Sequence, residues 1–98
     1  MFDFTKAIEA GSRDPQVYVN RGAINAQKGN FTQAISDFRK AIEINSQYAD
    51  AYYNRAVFYY QLKEYDRAWE DVYQAEKLGA VVNAGFINTL KQASDKGH

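Results

Sequence analysis

Side chains that could catalyse a reaction are present in this chain, but none has a partner at a useful spacing. The histidine His98 is the last residue, where an imidazole lacks the fixed neighbour that a general base needs. The serines therefore have no activating base, and the chain has no cysteine to act as a nucleophile or as a metal ligand. Acidic residues such as Glu43, Glu64 and Asp71 are not spaced as in a metal-binding loop, and no glycine-rich phosphate loop occurs. We therefore predict that the protein is not an enzyme and has no metal site and no cofactor.

The polar residues that do recur are separated by 34 positions, and most of the sequence follows this period. The segment Asp3–Glu9 matches Asp37–Glu43 at six of seven positions. Asn20, Asn54 and Asn88 also lie 34 residues apart. A period of this length indicates a repeat architecture, in which each unit buries its apolar face only by packing on its neighbours.

The composition is that of one small folded domain without a charge bias. Of the 98 residues, 46% are hydrophobic and 24% are charged, which is typical of a globular chain. Twelve basic and twelve acidic residues cancel, so the chain lacks the positive charge that favours nucleic-acid binding. No apolar run approaches the roughly 18 residues that cross a bilayer. We expect neither a nucleic acid nor a membrane as a partner.

The N-terminal segment Met1–Lys6 does not have the basic and apolar regions of a signal peptide. A longer parent chain could nevertheless carry such a peptide. The compartment is therefore left open, with the cytoplasm favoured.

Within each unit, apolar residues recur at steps of three and four, which is the spacing of an amphipathic helix. Asp14–Pro15 is a typical helix start, and Lys28–Asn30, with its central glycine, is a typical helix end. The pattern predicts helices at about 2–10, 15–28, 31–44, 49–62, 65–78 and 83–94. The fold class is therefore predicted to be all-α, an α-solenoid of helix–turn–helix repeats.

Small residues are predicted to let the two helices of each unit approach closely. Gly22 and Ala56 are equivalent positions of the two first helices. The alanines expected on the second helices are Ala34, Ala41, Ala68 and Ala75. The aromatic residues expected to fill the space between successive units are Tyr18, Phe38, Tyr52 and Tyr65.

The motif Tyr-x-Asn-Arg-Gly, followed by Gly-x-Phe-x-x-Ala-Ile-x-Asp-Phe, resembles the tetratricopeptide repeat (TPR) family. The resemblance covers nearly the whole chain and implies a single domain, like a short bacterial-type TPR protein or a fragment of a longer one. The implied divisions are 1–14 (second helix of a partial repeat), 15–48 and 49–82 (repeats) and 83–98 (capping helix and tail). Ser46 and Val72 depart from the family, which usually has a proline and an aromatic residue at these positions.

The resemblance also implies a concave groove lined by the first helix of each repeat and by the terminal helix. An asparagine amide both donates and accepts, which suits pairing with a peptide backbone, and tyrosine rings add contact area. The residues expected to bind a peptide are Asn20, Tyr53, Asn54, Val57, Tyr60, Asn88 and Lys91. In the alternative interpretation, the asparagines bond within the array and satisfy nearby backbone groups.

Family members that hold a C-terminal carboxylate have lysine and asparagine at two first-helix positions, which are Val19 and Ala23 in this chain. The cation is missing apart from Lys91, so capture of a chaperone tail is not expected. A neutral groove rich in tyrosine predicts an apolar or mixed peptide instead.

Charged residues also follow the period and are predicted to pair between helices. Arg21 and Arg55 are one period apart, as are Asp37 and Asp71, with Asp3 one period earlier. We expect an arginine–aspartate pair in each repeat. The alternative is that the arginines bind an anion.

The first helix of the predicted partial repeat is missing, so the apolar residues Phe2, Phe4 and Ile8 should be uncovered and should mediate self-association. A symmetric dimer or an exchange of helices would cover them. The favoured function is a protein–protein interaction scaffold or adaptor that binds a peptide segment in the groove. The alternative is a structural, self-assembling module or a fragment of a larger TPR array without a ligand site of its own.

Overall fold

Five α-helices follow one another in the computed structural model, which describes residues 13–96 and the side chains of residues 13–94. They are α1 (Pro15–Gln27), α2 (Phe31–Ile44), α3 (Ala49–Gln61), α4 (Tyr65–Lys77) and α5 (Ala84–Lys96). The predicted all-α fold is confirmed, and the predicted bounds of these helices agree within two residues. The predicted helix at 2–10 lies outside the described residues.

Local sequence signals fix where several helices begin and end. The Asp14 carboxylate accepts a hydrogen bond from the backbone N–H of Gln16 at 2.9 Å and caps α1, whose first residue is Pro15. The Asn83 side chain accepts from the N–H of Phe86 at 3.1 Å at the start of α5. These caps satisfy N–H groups that have no partner within the helix.

The turn between α3 and α4 places a non-glycine residue in the left-handed region. Lys63 has φ 62°, whereas Gly29, one period earlier in the turn between α1 and α2, has φ 81°. A side chain with a β-carbon is strained by roughly 1–2 kcal/mol in this conformation. The second repeat therefore holds a strained residue where the first has glycine.

Lys63→Gly should raise the free energy of unfolding by about 1 kcal/mol, since it removes this strain at the cost of some chain entropy. Urea denaturation of the two proteins measures the difference. Lys63→Ala is the matched control, because it removes the charge but keeps the β-carbon. Equal stability of the glycine and alanine variants would contradict the prediction.

The helices form two hairpins, α1 with α2 and α3 with α4, and α5 packs on α4. Helix α3 also contacts α1 and α2, so the second hairpin lies directly against the first. This order places α1 and α3 side by side. The arrangement is the stacking of units that the period predicts.

The described part of the chain contains two clusters of buried residues, which alternate small and large side chains as predicted. The first is built around Phe38 and Phe58, both 1% exposed, and the second around Val72 and Leu90. The alanines predicted on the second helices, Ala34, Ala41, Ala68 and Ala75, are all fully buried. The predicted aromatic positions Tyr18 and Phe38 are buried, whereas Tyr52 and Tyr65 are only partly buried.

Candidate functional site

A small cavity of about 160 Å³ lies between α1 and α3. The buried rings of Phe38 and Phe58 belong to its lining and also to the first core cluster. The full lining is Ala23, Ala26, Gln27, Phe38, Asn54, Val57, Phe58 and Gln61. Several of these residues are equivalent positions of the two repeats, such as Ala23 with Val57 and Gln27 with Gln61. Repetition of the sequence therefore builds one continuous surface from two helices.

Asn20 is held by a chain of hydrogen bonds on α1. The Gln16 amide donates to the Oδ1 of Asn20 at 2.8 Å, and the Tyr48 hydroxyl donates to the Oε1 of Gln16. Burial, together with the charges of Asp50 and Asp14, raises the pKa of Tyr48 and so favours the protonated hydroxyl that donates this bond. The Nδ2 of Asn20 has no hydrogen bond to another residue within 13–94.

Among the described residues, Asn54 leaves its acceptor without a partner, whereas Asn20 leaves its donor. The Nδ2 of Asn54 donates to the backbone carbonyl of Asp50 at 2.7 Å. Its Oδ1 has no donor among the side chains and backbone that the structure describes, and the residue lines the cavity. Each of the two asparagines thus makes one bond within the array, as in the alternative interpretation, and keeps one group for another partner.

The two tyrosines predicted to contact a ligand also pack against the terminal helix. The ring of Phe86 stacks on Tyr53 with centroids 6.1 Å apart and meets Tyr60 edge-on at 5.9 Å. The Tyr53 hydroxyl accepts a hydrogen bond from the backbone N–H of Asn83 at 3.1 Å. These contacts join α3 to α5, so both tyrosines have a structural role that the sequence did not reveal.

The remaining predicted residues lie at different places. Val57 lines the cavity, whereas Asn88 and Lys91 are exposed on α5 and do not contribute to the cavity lining. Val19, mapped from the family onto the groove, is only 2% exposed and belongs to the first core cluster. The structure does not describe the predicted self-association residues Phe2, Phe4 and Ile8.

The predicted arginine–aspartate pairs are both present in the described residues. Arg21 binds Asp37 through Nε and Nη2, with Nη2 2.6 Å from Oδ1, and Arg55 binds Asp71 with two bonds of 2.8 Å. Both carboxylates are almost fully buried. Since each guanidinium group already holds a carboxylate, the pairs support a structural role rather than anion binding.

The two pairs differ in their surroundings. Asp37 also accepts from the amides of Asn25 and Gln33, at 2.9 Å and 3.0 Å. Asp71 accepts hydrogen bonds only from Arg55 among the described residues. The guanidinium carbon of Arg55 lies 5.7 Å from the ring centroid of Tyr52 and 5.8 Å from that of Tyr59. The same charge pair is thus supported by amides in one repeat and by aromatic faces in the next.

These surroundings shift the pKa values of the paired groups. The hydrogen bonds that Arg21 donates to Asp37 raise the pKa of Arg21, in spite of partial burial. Burial alone would lower the pKa of Arg55, but the bond and charge of Asp71 outweigh it and raise that pKa. Burial raises the pKa of Asp71 by more than its bond to Arg55 lowers it.

The raised pKa of Asp71 gives its contribution to stability an unusual pH dependence. The folded carboxyl binds its proton more tightly than the unfolded one, so the pH-dependent part of its contribution is complete below the ordinary value of 3.8 and is lost as pH rises through the folded pKa. We therefore compare the free energies of unfolding of the wild type and of Asp71→Asn. The advantage of the wild type should increase as pH falls from about 7 to about 4. Urea denaturation at the two pH values measures it. A decrease would show that the bond to Arg55 outweighs burial.

The described residues include no cluster of three or more histidine or acidic side chains that could hold a metal ion. None of the helices within residues 13–96 has the length and apolar character needed to cross a membrane.

Paired helices repeated every 34 residues define the class of helical-repeat proteins. Sequence profiles for this class match the chain, one described as a TPR repeat over residues 24–63 and one as a tetratricopeptide repeat over residues 49–78. The chain belongs to the tetratricopeptide repeat family. Its fold is a repeat scaffold, which is typically non-catalytic.

Two solved structures of the family are similar over 97% of the chain. One is YrrB, described as a TPR protein with an unusual peptide-binding site, with 27% identity and a TM-score of 0.83. The chain spans about half of YrrB, at 48% of its length. The other is the TPR2B domain of yeast Sti1 in complex with pHsp70, with 31% identity, a TM-score of 0.79 and 79% of that chain covered. Comparison with curated proteins gives no match.

Proposed function

We propose that this TPR domain is a scaffold or adaptor that binds a peptide segment of a protein partner on its groove face. The groove face is the surface shared by α1, α3 and α5, on which the cavity between α1 and α3 lies. Two repeats, 15–48 and 49–82, with 83–98 as a capping segment and 1–14 as a partial repeat, make up the proposed domain. Non-catalytic binding is the whole of the proposed activity.

The observation that carries this proposal is an uncharged cavity bordered by one uncommitted amide group, with a second such group on the neighbouring helix. The cavity is bordered by Asn54, whose Oδ1 is an unused acceptor, and Asn20 on the neighbouring helix keeps an unused donor. An extended peptide presents the complementary N–H and carbonyl groups along its backbone. The similarity to YrrB, described as a TPR protein with an unusual peptide-binding site, supports peptide binding as the function.

The other predicted residues have secondary places in the proposed site. Val57 supplies an apolar wall of the cavity, and Tyr53 and Tyr60 set the position of α5 through Phe86. Asn88 and Lys91 would contact only a peptide long enough to reach α5.

Selection of ligands from a library of random short peptides, followed by fluorescence polarisation with the selected peptides, tests the proposal. Asn54→Ala should weaken binding by about tenfold, because it removes one hydrogen bond in a partly buried site. Gln47→Ala is the matched control, since it removes an exposed amide that does not line the cavity. Thermal unfolding of both variants should match the wild type. Failure to select any peptide, or equal binding by the Asn54 variant, would refute the proposal.

A further inference from the structure

We infer that the cavity between α1 and α3 is an anchor pocket for one uncharged apolar side chain from an internal segment of the bound peptide. The inference rests on the proposed function and adds the chemical class of the ligand. It concerns the cavity lining, of which only Asn54 and Val57 were among the residues expected to bind.

The size and walls of the cavity fit a single large apolar side chain. Its volume of about 160 Å³ is close to that of an apolar protein cavity, about 150 Å³, that holds a benzene molecule. Phe38 and Phe58 supply aromatic carbon, and Val57 an aliphatic wall. The space exists because Ala23 and Ala26 are small at the positions of α1 that face α3. A leucine, methionine or phenylalanine side chain fills such a space.

The electrostatics of the cavity exclude a charged anchor. No residue of the lining carries a charge. Gln27 and Gln61 are the last residues of α1 and α3, where the helix dipole places partial negative charge, and the last turn of neither helix has a basic side chain. A carboxylate would therefore be repelled, and an ammonium group would lose its hydration without gaining a counter-ion.

The polar part of the lining suits a peptide backbone rather than a chain end. It consists of the amides of Gln27, Asn54 and Gln61, which offer both donors and acceptors. Free carboxylates are normally bound by basic groups, and Lys91, the cation that the sequence placed in the groove, does not line the cavity. An internal peptide bond, which has one N–H and one carbonyl, is the better match.

The test uses peptides selected from random libraries displayed either internally or with a free C-terminus. Sequences from the wild-type selection should share one aliphatic or aromatic position, with no enrichment of acidic residues or of free C-terminal ends. A synthetic peptide in which this position is replaced by glutamate or lysine should bind at least about tenfold more weakly, and amidation of its C-terminus should leave binding within about twofold.

Ala23→Leu, which fills the cavity, should weaken binding of the selected peptide by about tenfold or more. Ala84→Leu is the matched control, because Ala84 is exposed on α5 outside the cavity and its variant should bind like the wild type. The peptide replacements are measured on the wild-type protein, so they decide the question even when a variant folds poorly.

The outcomes separate the two levels of the proposal. The selected peptides could need Asn54 and yet carry a charged anchor, need a free carboxylate or bind Ala23→Leu as well as the wild type. Any of these three results would overturn the anchor pocket and leave the proposed function intact. Peptides that ignore Asn54→Ala, or no selected peptide at all, would overturn both, since the anchor pocket rests on the proposed function.

Discussion

Asp37→Ala should lower the free energy of unfolding by about 3 kcal/mol, because it removes a buried carboxylate that accepts hydrogen bonds from three side chains. The Asp37 side chain is 1% exposed and accepts from Arg21, Asn25 and Gln33. Removing the carboxylate leaves the guanidinium group, whose side chain is 24% exposed, and the amides of Asn25 and Gln33 without their shared acceptor. Urea denaturation followed by circular dichroism measures the loss.

Asp71→Ala is the internal control for this prediction, since it removes the equivalent carboxylate of the second repeat. Arg55 keeps its contacts with the rings of Tyr52 and Tyr59, and no amide loses an acceptor. The loss should therefore be smaller than for Asp37→Ala by about 1 kcal/mol or more. Equal losses would show that the amides around Asp37 add nothing to the pair.

Gly22→Val should destabilise the protein by about 2–3 kcal/mol through overpacking between α1 and α2. A β-carbon on residue 22 would lie 2.8 Å from Cε1 and 2.9 Å from Cδ1 of Phe38, which is too close for carbon atoms. Phe38 is 1% exposed and packs against Phe58 with ring centroids 5.9 Å apart, so its ring has little room to move.

A double mutant tests whether this clash is the cause. Phe38→Val removes the ring atoms that a larger residue 22 would meet, and it copies Val72, the residue one period later. In that background, Gly22→Val should cost less than about 1 kcal/mol, measured by the same denaturation. A cost that is the same in both backgrounds would place the strain elsewhere than at Phe38.

The same pair of positions shows why the fold could be predicted from the sequence. Gly22 faces Phe38 in the first repeat, and Ala56 belongs to one cluster with Val72 in the second. The first repeat thus pairs the smaller residue on its first helix with the larger residue on its second helix. The period of 34 reveals that these positions are equivalent in the two repeats. Helix bounds, buried alanines and the arginine–aspartate pairs follow from the same spacing, because each is a local pattern repeated in register.

Features that occur once could not be predicted in this way. Phe86 lies one period after Tyr52, but its partners Tyr53 and Tyr60 correspond to Val19 and Ala26 in the first repeat, so the period does not encode these ring contacts. The strained Lys63 was missed because lysine is not a turn signal, although its place one period after Gly29 could have revealed it. Val19 was assigned to the groove by analogy, but the rotation of α1 buries it.

The candidate site was predictable only in part for a related reason. Periodicity identifies which helices share a face, and the spacing of three residues places Asn54 and Val57 on the same side of α3. It does not give the space between helices, which depends on the size of Ala23 and Ala26 and on the position of the Phe38 and Phe58 rings. The anchor pocket is therefore a property of the packed structure.

Exchanging the two charges of the Arg55–Asp71 pair is a less informative test than the single substitutions. Exchanging Arg55 and Asp71 would place a carboxylate over the rings of Tyr52 and Tyr59, whose faces attract cations and repel anions. The swapped pair should therefore recover only part of the lost stability. The comparison of Asp37→Ala with Asp71→Ala avoids this problem.

Mapping of NMR chemical shifts during titration with a selected peptide tests the central claim, peptide binding on the groove face, most directly. The amide signals of Ala23, Ala26, Asn54 and Val57 should change together and saturate at one stoichiometric ratio. Signals from the exposed residues Thr32 and Tyr73 on α2 and α4 should stay in place. Changes confined to α2 and α4, with α1 and α3 unaffected, would contradict the account.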